Sequence, residues 1–135
     1  MGIQKKVILI AEDDSVIREL LTAMLKTSGY ELITATDGIE AVDAFRNHGE
    51  KVHLVITDIG MPRMNGMEAI QEIRKLSASV PIMILSIWEE KEYRRIAEEN
   101  HVKEYMKKPF DVNELILKVR QLLPDVPPEA QSSAT

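Results

Sequence analysis

Five short apolar runs, each followed by a segment with helical spacing, constrain this chain more than any other feature. Leu54-Val55-Ile56-Thr57 is the plainest of them. It is rich in β-branched residues, ends abruptly in Asp58, and is followed by Gly60, Pro62 and Gly66. A run of this length between turn residues suits a strand buried on both faces of a parallel sheet. A carboxylate at its C-terminal end then lies where open α/β sheets bind ligands. The competing reading of Asp58 is a simple turn or cap residue.

Val7-Ile8-Leu9-Ile10-Ala11 is a second such run and also ends in acid, Glu12-Asp13-Asp14. From Ser15 the period changes, with Val16, Leu20, Ala23, Met24 and Leu25 expected on one helix face and Gly29 as the closing C′ residue. Glu31 to Ala35 reads as a strand. Asp37 is then expected as N-cap of a helix that turns Ile39, Val42, Ala44 and Phe45 inward. After Asp58 comes a helix from about Asn65 to Leu76, with Met67, Ile70 and Ile73 on its apolar face. Pro81 to Leu85 reads as the fourth strand, with Ser86 at its end. The charged segment Glu89 to Asn100 reads as a helix with Tyr93, Ile96 and Ala97 as its apolar stripe. Val102 to Met106 is expected as the fifth strand, and Asp111 as N-cap of a last helix bearing Val112, Leu115, Ile116, Val119 and Leu122.

Strands alternating with helices in this way imply repeated βαβ units, hence an α/β fold with a parallel sheet covered on both faces. At 135 residues, with 44% hydrophobic and 29% charged residues, one domain with an ordinary core is expected, over residues 5–123. Residues 124–135 lack periodicity and read as a disordered tail or the start of a linker. No apolar stretch approaches a membrane span, and residues 1–6 have no signal-peptide apolar core. With no cysteine there is no disulfide framework or thiolate nucleophile, which fits the cytoplasm. A net charge of −5 disfavours broad nucleic-acid binding.

Parallel strands point their C-terminal ends to one edge, so the acids after the first strand can meet Asp58 after the third. Each ionised pair in contact near a surface repels by roughly 4 kcal/mol before screening, so such a cluster calls for a cation. All-oxygen ligation suits a hard ion such as Mg²⁺. Ser86 after the fourth strand and Lys108 after the fifth add a hydroxyl and an ammonium at the same edge. Either alone would be an ordinary surface polar residue. Together they form a constellation for handling a phosphoryl group on an aspartate, the ammonium and metal neutralising its oxygens.

At these residues the chain resembles the receiver domain of two-component response regulators, over about residues 5–123. The matching positions are Glu12-Asp13, the stretch from Thr57-Asp58 to Asn65-Gly66, Ser86, and Lys108-Pro109-Phe110. The resemblance implies a flavodoxin-like (βα)5 three-layer sandwich of strand order 2-1-3-4-5. It implies Asp58 as phosphoacceptor, with Mg²⁺ among Glu12, Asp13, Asp58 and the backbone carbonyl of Gly60. Asp14 falls one position past the acidic pair and outside that set. A cis Lys108-Pro109 bond is implied as well. On phosphorylation, Ser86 would move toward the phosphoryl group and Tyr105 would turn inward. That would rearrange the surface of the fourth helix, fifth strand and fifth helix, where partners or a second copy bind. The implied donor is a histidine kinase or histidine phosphotransfer protein.

Some positions depart from the family. Ile87 stands where a small residue is usual and Trp88 follows it, while Gly60 offers no side chain to orient a water. Ile87 and Trp88 are expected to restrict access and slow phosphorylation, and together with Gly60 to lengthen the lifetime of the acyl phosphate. Asn65 replaces the usual Asp without changing the turn chemistry. Glu99-Asn100-His101-Val102 replaces a small-residue stretch, with Asn100 expected in the left-handed conformation and His101 exposed. A degenerate receiver, binding partners without phosphorylation, is the alternative function. A phosphatase with an Asp nucleophile would need an acid where Gly60 stands, and a flavin phosphate would be repelled by Glu12-Asp13-Asp14. The output is expected from a downstream protein or from a further domain of a longer chain.

Overall fold

The computed structural model describes residues 5–124, so the expected tail lies outside the described residues apart from Pro124. The elements alternate throughout. They are β1 (Val7–Ala11), α1 (Ser15–Thr27), β2 (Glu31–Ala35), α2 (Gly38–His48), a 3₁₀ turn (Gly49–Lys51), β3 (Val52–Thr57), α3 (Gly66–Leu76), β4 (Ile82–Ser86), α4 (Glu90–Glu99), β5 (Glu104–Lys107) and α5 (Val112–Leu122). All strand pairs are parallel, in the order β2-β1-β3-β4-β5, which is the flavodoxin-like arrangement expected.

The period of two along the strands sorts the core into two layers. Ile8, Ile10, Leu54, Ile56, Met83 and Leu85 face Leu21 and Leu25 of α1 and Leu115 and Val119 of α5. Leu9, Ala11, Val55, Ile82 and Ile84 face α2, α3 and α4, through Val42, Phe45, Ile70, Ile73, Tyr93 and Ala97. Among the described residues no helix is long and apolar enough to cross a membrane.

One irregularity breaks the strand period. Val7 pairs with Val52 but Ile8 pairs with Leu54, so His53 is an extra residue in β3, a bulge of a kind rare in parallel pairs. Val52 and Leu54 accordingly fall in opposite layers although they are two residues apart. The insertion would leave a donor of β1 unmatched, and His53 Nδ1 accepts the Val7 N–H at 3.0 Å.

Three expectations need correction. On α1 the buried face is Leu21 and Leu25, with Ile17 and Met24 packed beside them, whereas Val16 is 72% and Leu20 45% exposed. Apolar residues run in adjacent pairs along this helix, and only one arc can meet the sheet. Val112, the first residue of α5, is likewise left outside at 37% exposure.

The second correction concerns the fifth strand, which begins at Glu104 rather than Val102. The third explains the second. Asn100 has φ −107° and His101 takes the left-handed conformation at φ 54°. The Val102 N–H bonds to Ala97 O at 2.9 Å and the His101 N–H to Glu98 O at 3.2 Å, a Schellman closure with His101 at C′. Val102 is thereby consumed in ending α4. Asn100 uses its side chain instead, Nδ2 donating to Ile96 O at 2.8 Å. Gly29, φ 103°, closes α1 in the same way and as expected.

Burial, and then the charge of Lys6, hold the His53 imidazole below its ordinary pKa. Lys5, Glu31, Glu50 and Lys51 line the same cleft. The neutral ring is the form that accepts from Val7, so His53 stabilises the fold above the ordinary histidine pKa. That contribution fades as pH falls through the depressed folded value. We expect His53→Ala to cost about 1 kcal/mol at neutral pH by urea unfolding, the usual net worth of one hydrogen bond. The deficit relative to the parent should shrink on acidification.

Candidate functional site

The C-terminal ends of β1, β3, β4 and β5 lie side by side in the sheet and deliver Glu12, Asp58, Ser86 and Lys108 to one edge. The edge falls where consecutive helices leave to opposite layers, α1 after β1 and α3 after β3, which is the switch point of a doubly wound sheet. Backbone bonds between the strand ends hold it together. Asp58 N–H donates to Ala11 O, Glu12 N–H to Ala35 O, both at 3.0 Å, and Lys108 N–H to Ser86 O at 2.9 Å.

Glu12 and Asp58 are buried while Asp13 is exposed, and oxygens of all three carboxylates lie within 4.8 Å of one another. Lys108 Nζ reaches into this group, donating to Glu12 Oε1 at 2.6 Å and to Asp58 Oδ2 at 3.1 Å. The Lys108-Pro109 bond is cis, as expected. The other Asp58 oxygen, Oδ1, accepts the Ile59 N–H at 2.6 Å. Asp14 is used elsewhere: its Oδ1 caps α1 by accepting the Val16 and Ile17 N–H groups, in line with its exclusion from the acid set.

Burial pushes the Glu12 carboxyl above the ordinary range, opposed by the Lys108 hydrogen bond and raised further by the charge of Asp58. Burial pulls the Lys108 ammonium down, but its bonds to Glu12 and the charge of Asp58 outweigh that and leave it above its usual value. Lys108 is therefore a fixed cation at neutral pH. An all-oxygen set with one exposed member, Asp13, on its open side fits a hard divalent ion.

Ser86 is fully buried, and its Oγ accepts the Trp88 N–H at 3.1 Å. Trp88 arches back over the loop after β3. A Cβ on Gly60 would meet its indole Nε1 at 3.4 Å, an ordinary contact, so the ring lies directly against this position. Ile87, between Ser86 and Trp88, is 68% exposed. Tyr105 lies on the outer side of β5 at 37% exposure, its ring edge-on to buried Tyr93 at 6.0 Å. Around it the charges of α4, β5 and α5 are paired, Glu89 with Lys107, Glu90 with Arg94 and Glu104 with Lys118.

Sequence reasoning missed two arginines. Arg18 Nη1, one turn into α1, donates to the Glu12 carbonyl at 2.8 Å and braces the acidic turn. Arg63 ties the loop after β3 to Asp37 at 2.6 Å. A cation shortly after an acidic turn is a weak signal, and Asp37, the partner of Arg63, is 26 residues away.

An acid-lined switch point with a partly buried lysine among its carboxylates marks this as a doubly wound α/β domain. The chain belongs to the response regulator receiver domain family, whose model matches residues 8–120. It is 38% identical over 123 residues to a probable transcriptional regulator, ycf27, of Cyanophora paradoxa, covering 91% of this chain and 50% of the relative. It is 32% identical over 122 residues to response regulator MprA of a Mycobacterium species, covering 90% and 52%. The chain thus spans about half the length of the curated relatives it matches. Among solved structures it superposes on the non-phosphorylated HemR receiver domain of Leptospira biflexa with TM-score 0.83 and 26% identity, covering 92% of this chain and 98% of that one. A CheX–CheY complex with BeF3 and Mg²⁺ from Borrelia burgdorferi gives 0.81 and 25%, covering 87% and 88%.

The loop after β3 admits no bulk on its inner side. A Cβ on Gly66 would sit 1.9 Å from the Asp58 carbonyl oxygen, a backbone atom that cannot swing aside. Gly66→Ala should destabilise the chain by about 4 kcal/mol or more, the range reserved for core disruption, as read from the urea midpoint.

Proposed function

We propose that the chain accepts a phosphoryl group on Asp58 from the phosphohistidine of a histidine kinase or histidine phosphotransfer protein, with Mg²⁺ at Glu12, Asp13, Asp58 and the Gly60 carbonyl. The observation that carries this reading is Lys108 Nζ bridging Glu12 and Asp58 inside an acid cluster. A carboxylate oxygen of Asp58 forms the new O–P bond as the donor's N–P bond breaks, and the imidazole departs with the electron pair. Bound Mg²⁺ supplies positive charge that offsets the acids and the phosphoryl oxygens. Lys108, already within reach of Asp58, exchanges a carboxylate for a phosphoryl oxygen and holds it. The Mg²⁺ and BeF3 recorded with the Borrelia burgdorferi protein support the same ligands here.

In this reading Ser86 gives up its Trp88 bond and turns its hydroxyl to the phosphoryl group. Tyr105 then leaves its outward position and the α4-β5-α5 surface is remade. A downstream protein, an output domain or a second copy of the chain would read that surface. The chain is a phosphoacceptor that catalyses only its own phosphorylation and dephosphorylation, and we assign it to the cytoplasm with its kinase. A degenerate receiver is disfavoured because acids, hydroxyl and ammonium are all brought to one edge.

Intact mass after incubation with Mg²⁺ and acetyl phosphate tests the reading. The parent should gain one phosphoryl group and Asp58→Asn none; a parent that gains nothing from any donor would sink it. Trp88 over Gly60 should shield the acyl phosphate from water, so Trp88→Ala should shorten its lifetime. Ile87→Ala should speed phosphorylation by acetyl phosphate, and an unchanged rate would remove Ile87 from the control of access.

A further inference from the structure

The loop that leaves Asp58 is fastened to a part of the fold that carries no phosphoacceptor or metal residue. Arg63 Nε donates to Asp37 Oδ2 at 2.6 Å, and its Nη2 lies 3.9 Å from Glu40 Oε2. Asp37 is 4% exposed, and its second oxygen caps α2 by accepting the Glu40 N–H at 2.8 Å. Beside this pair the loops touch backbone to backbone. Gly38 N–H donates to Met64 O at 2.9 Å, and a Cβ on Gly38 would lie 2.3 Å from that oxygen. Arg63 itself has φ 63°, a left-handed conformation that costs a non-glycine residue about 1 kcal/mol or more and persists only where surroundings enforce it.

The other end of the fastening reaches the acidic turn. Ala35, two residues before Asp37, accepts the Glu12 N–H at 3.0 Å. The end of β2 therefore grips both loops that supply carboxylates, one through a backbone bond and the other through Arg63. Exposed ion pairs contribute little to stability, but here the acid is buried and its geometry is fixed by the cap it makes. Burial alone would raise the Asp37 carboxyl; the Arg63 guanidinium and the Glu40 and Ile39 N–H groups outweigh it and hold it below the ordinary range.

We propose that the Arg63–Asp37 pair positions the Gly60 carbonyl against the Glu12-Asp13 turn, making Arg63 a positioning residue for divalent-cation binding although it touches neither cation nor phosphoryl group. This rests on the Mg²⁺ reading above. Mg²⁺ tolerates little departure from octahedral geometry, so a loop displaced by a fraction of an ångström loses affinity. Groups that orient metal ligands are worth about tenfold or more in affinity.

Calorimetric titration of the full chain with MgCl₂ tests it, with Asp13→Asn as the control for the cation site. Arg63→Ala should weaken binding about tenfold, and Arg63→Lys should recover part of the loss. Asp37→Asn keeps the cap, since Asn caps as well as Asp, but loses the charge, so it should match Arg63→Ala. The double variant should bind no more weakly than either single one. If Arg63→Ala does not fold, Asp37→Asn decides. Unchanged Mg²⁺ affinity in the folded variants, even with lowered thermal stability, makes the pair merely structural and overturns the proposal. No saturable heat in the parent, with Asp13→Asn indistinguishable from it, removes the Mg²⁺ reading and the positioning role together.

Discussion

Like charges gathered at the ends of β1 and β3 are the constraint to which the rest of the molecule answers. Glu12 and Asp58 are both buried, and bringing two ionised carboxylates into contact costs several kcal/mol in a medium less polar than water. Lys108 offsets that repulsion from beyond β4, two strands from β3 and three from β1, and it reaches them because β5 is parallel to β4 and ends level with it. The sheet order is thus more than a scaffold.

The periods of two and of 3.6 made the sheet, the five helices and the two-layer core legible in the sequence, because burial is what those periods record. The acids, the hydroxyl and the lysine were legible because each follows directly on a strand, and parallel strands bring their ends together. Failures came where more than one local solution satisfied the pattern. On α1 the pairs Val16-Ile17 and Leu20-Leu21 offer two apolar arcs, and only tertiary packing chose Ile17 and Leu21. Between Asn100 and His101 both residues can take a left-handed turn, and the Schellman bonds placed it one residue later.

The two arginines were illegible for another reason. Arg18 and Arg63 act on backbone carbonyls and on a capping carboxylate, contacts with no sequence spacing of their own. The histidine bulge in β3 is of the same kind. His53 reads as a polar residue interrupting an apolar strand, and its function as an acceptor for Val7 exists only once β1 is alongside.

The loop between Asp58 and Gly66 is closed on one side by backbone and open on the other to a single indole ring. Gly38 and Gly66 leave no volume for variation on the inner side, where the nearest atoms are main-chain carbonyls that cannot swing aside. On the outer side, a Cβ added at Gly60 would meet only the Trp88 indole, at ordinary contact distance. Sequence drift in this loop is therefore channelled to its outer side, where a side chain can be gained without displacing main chain.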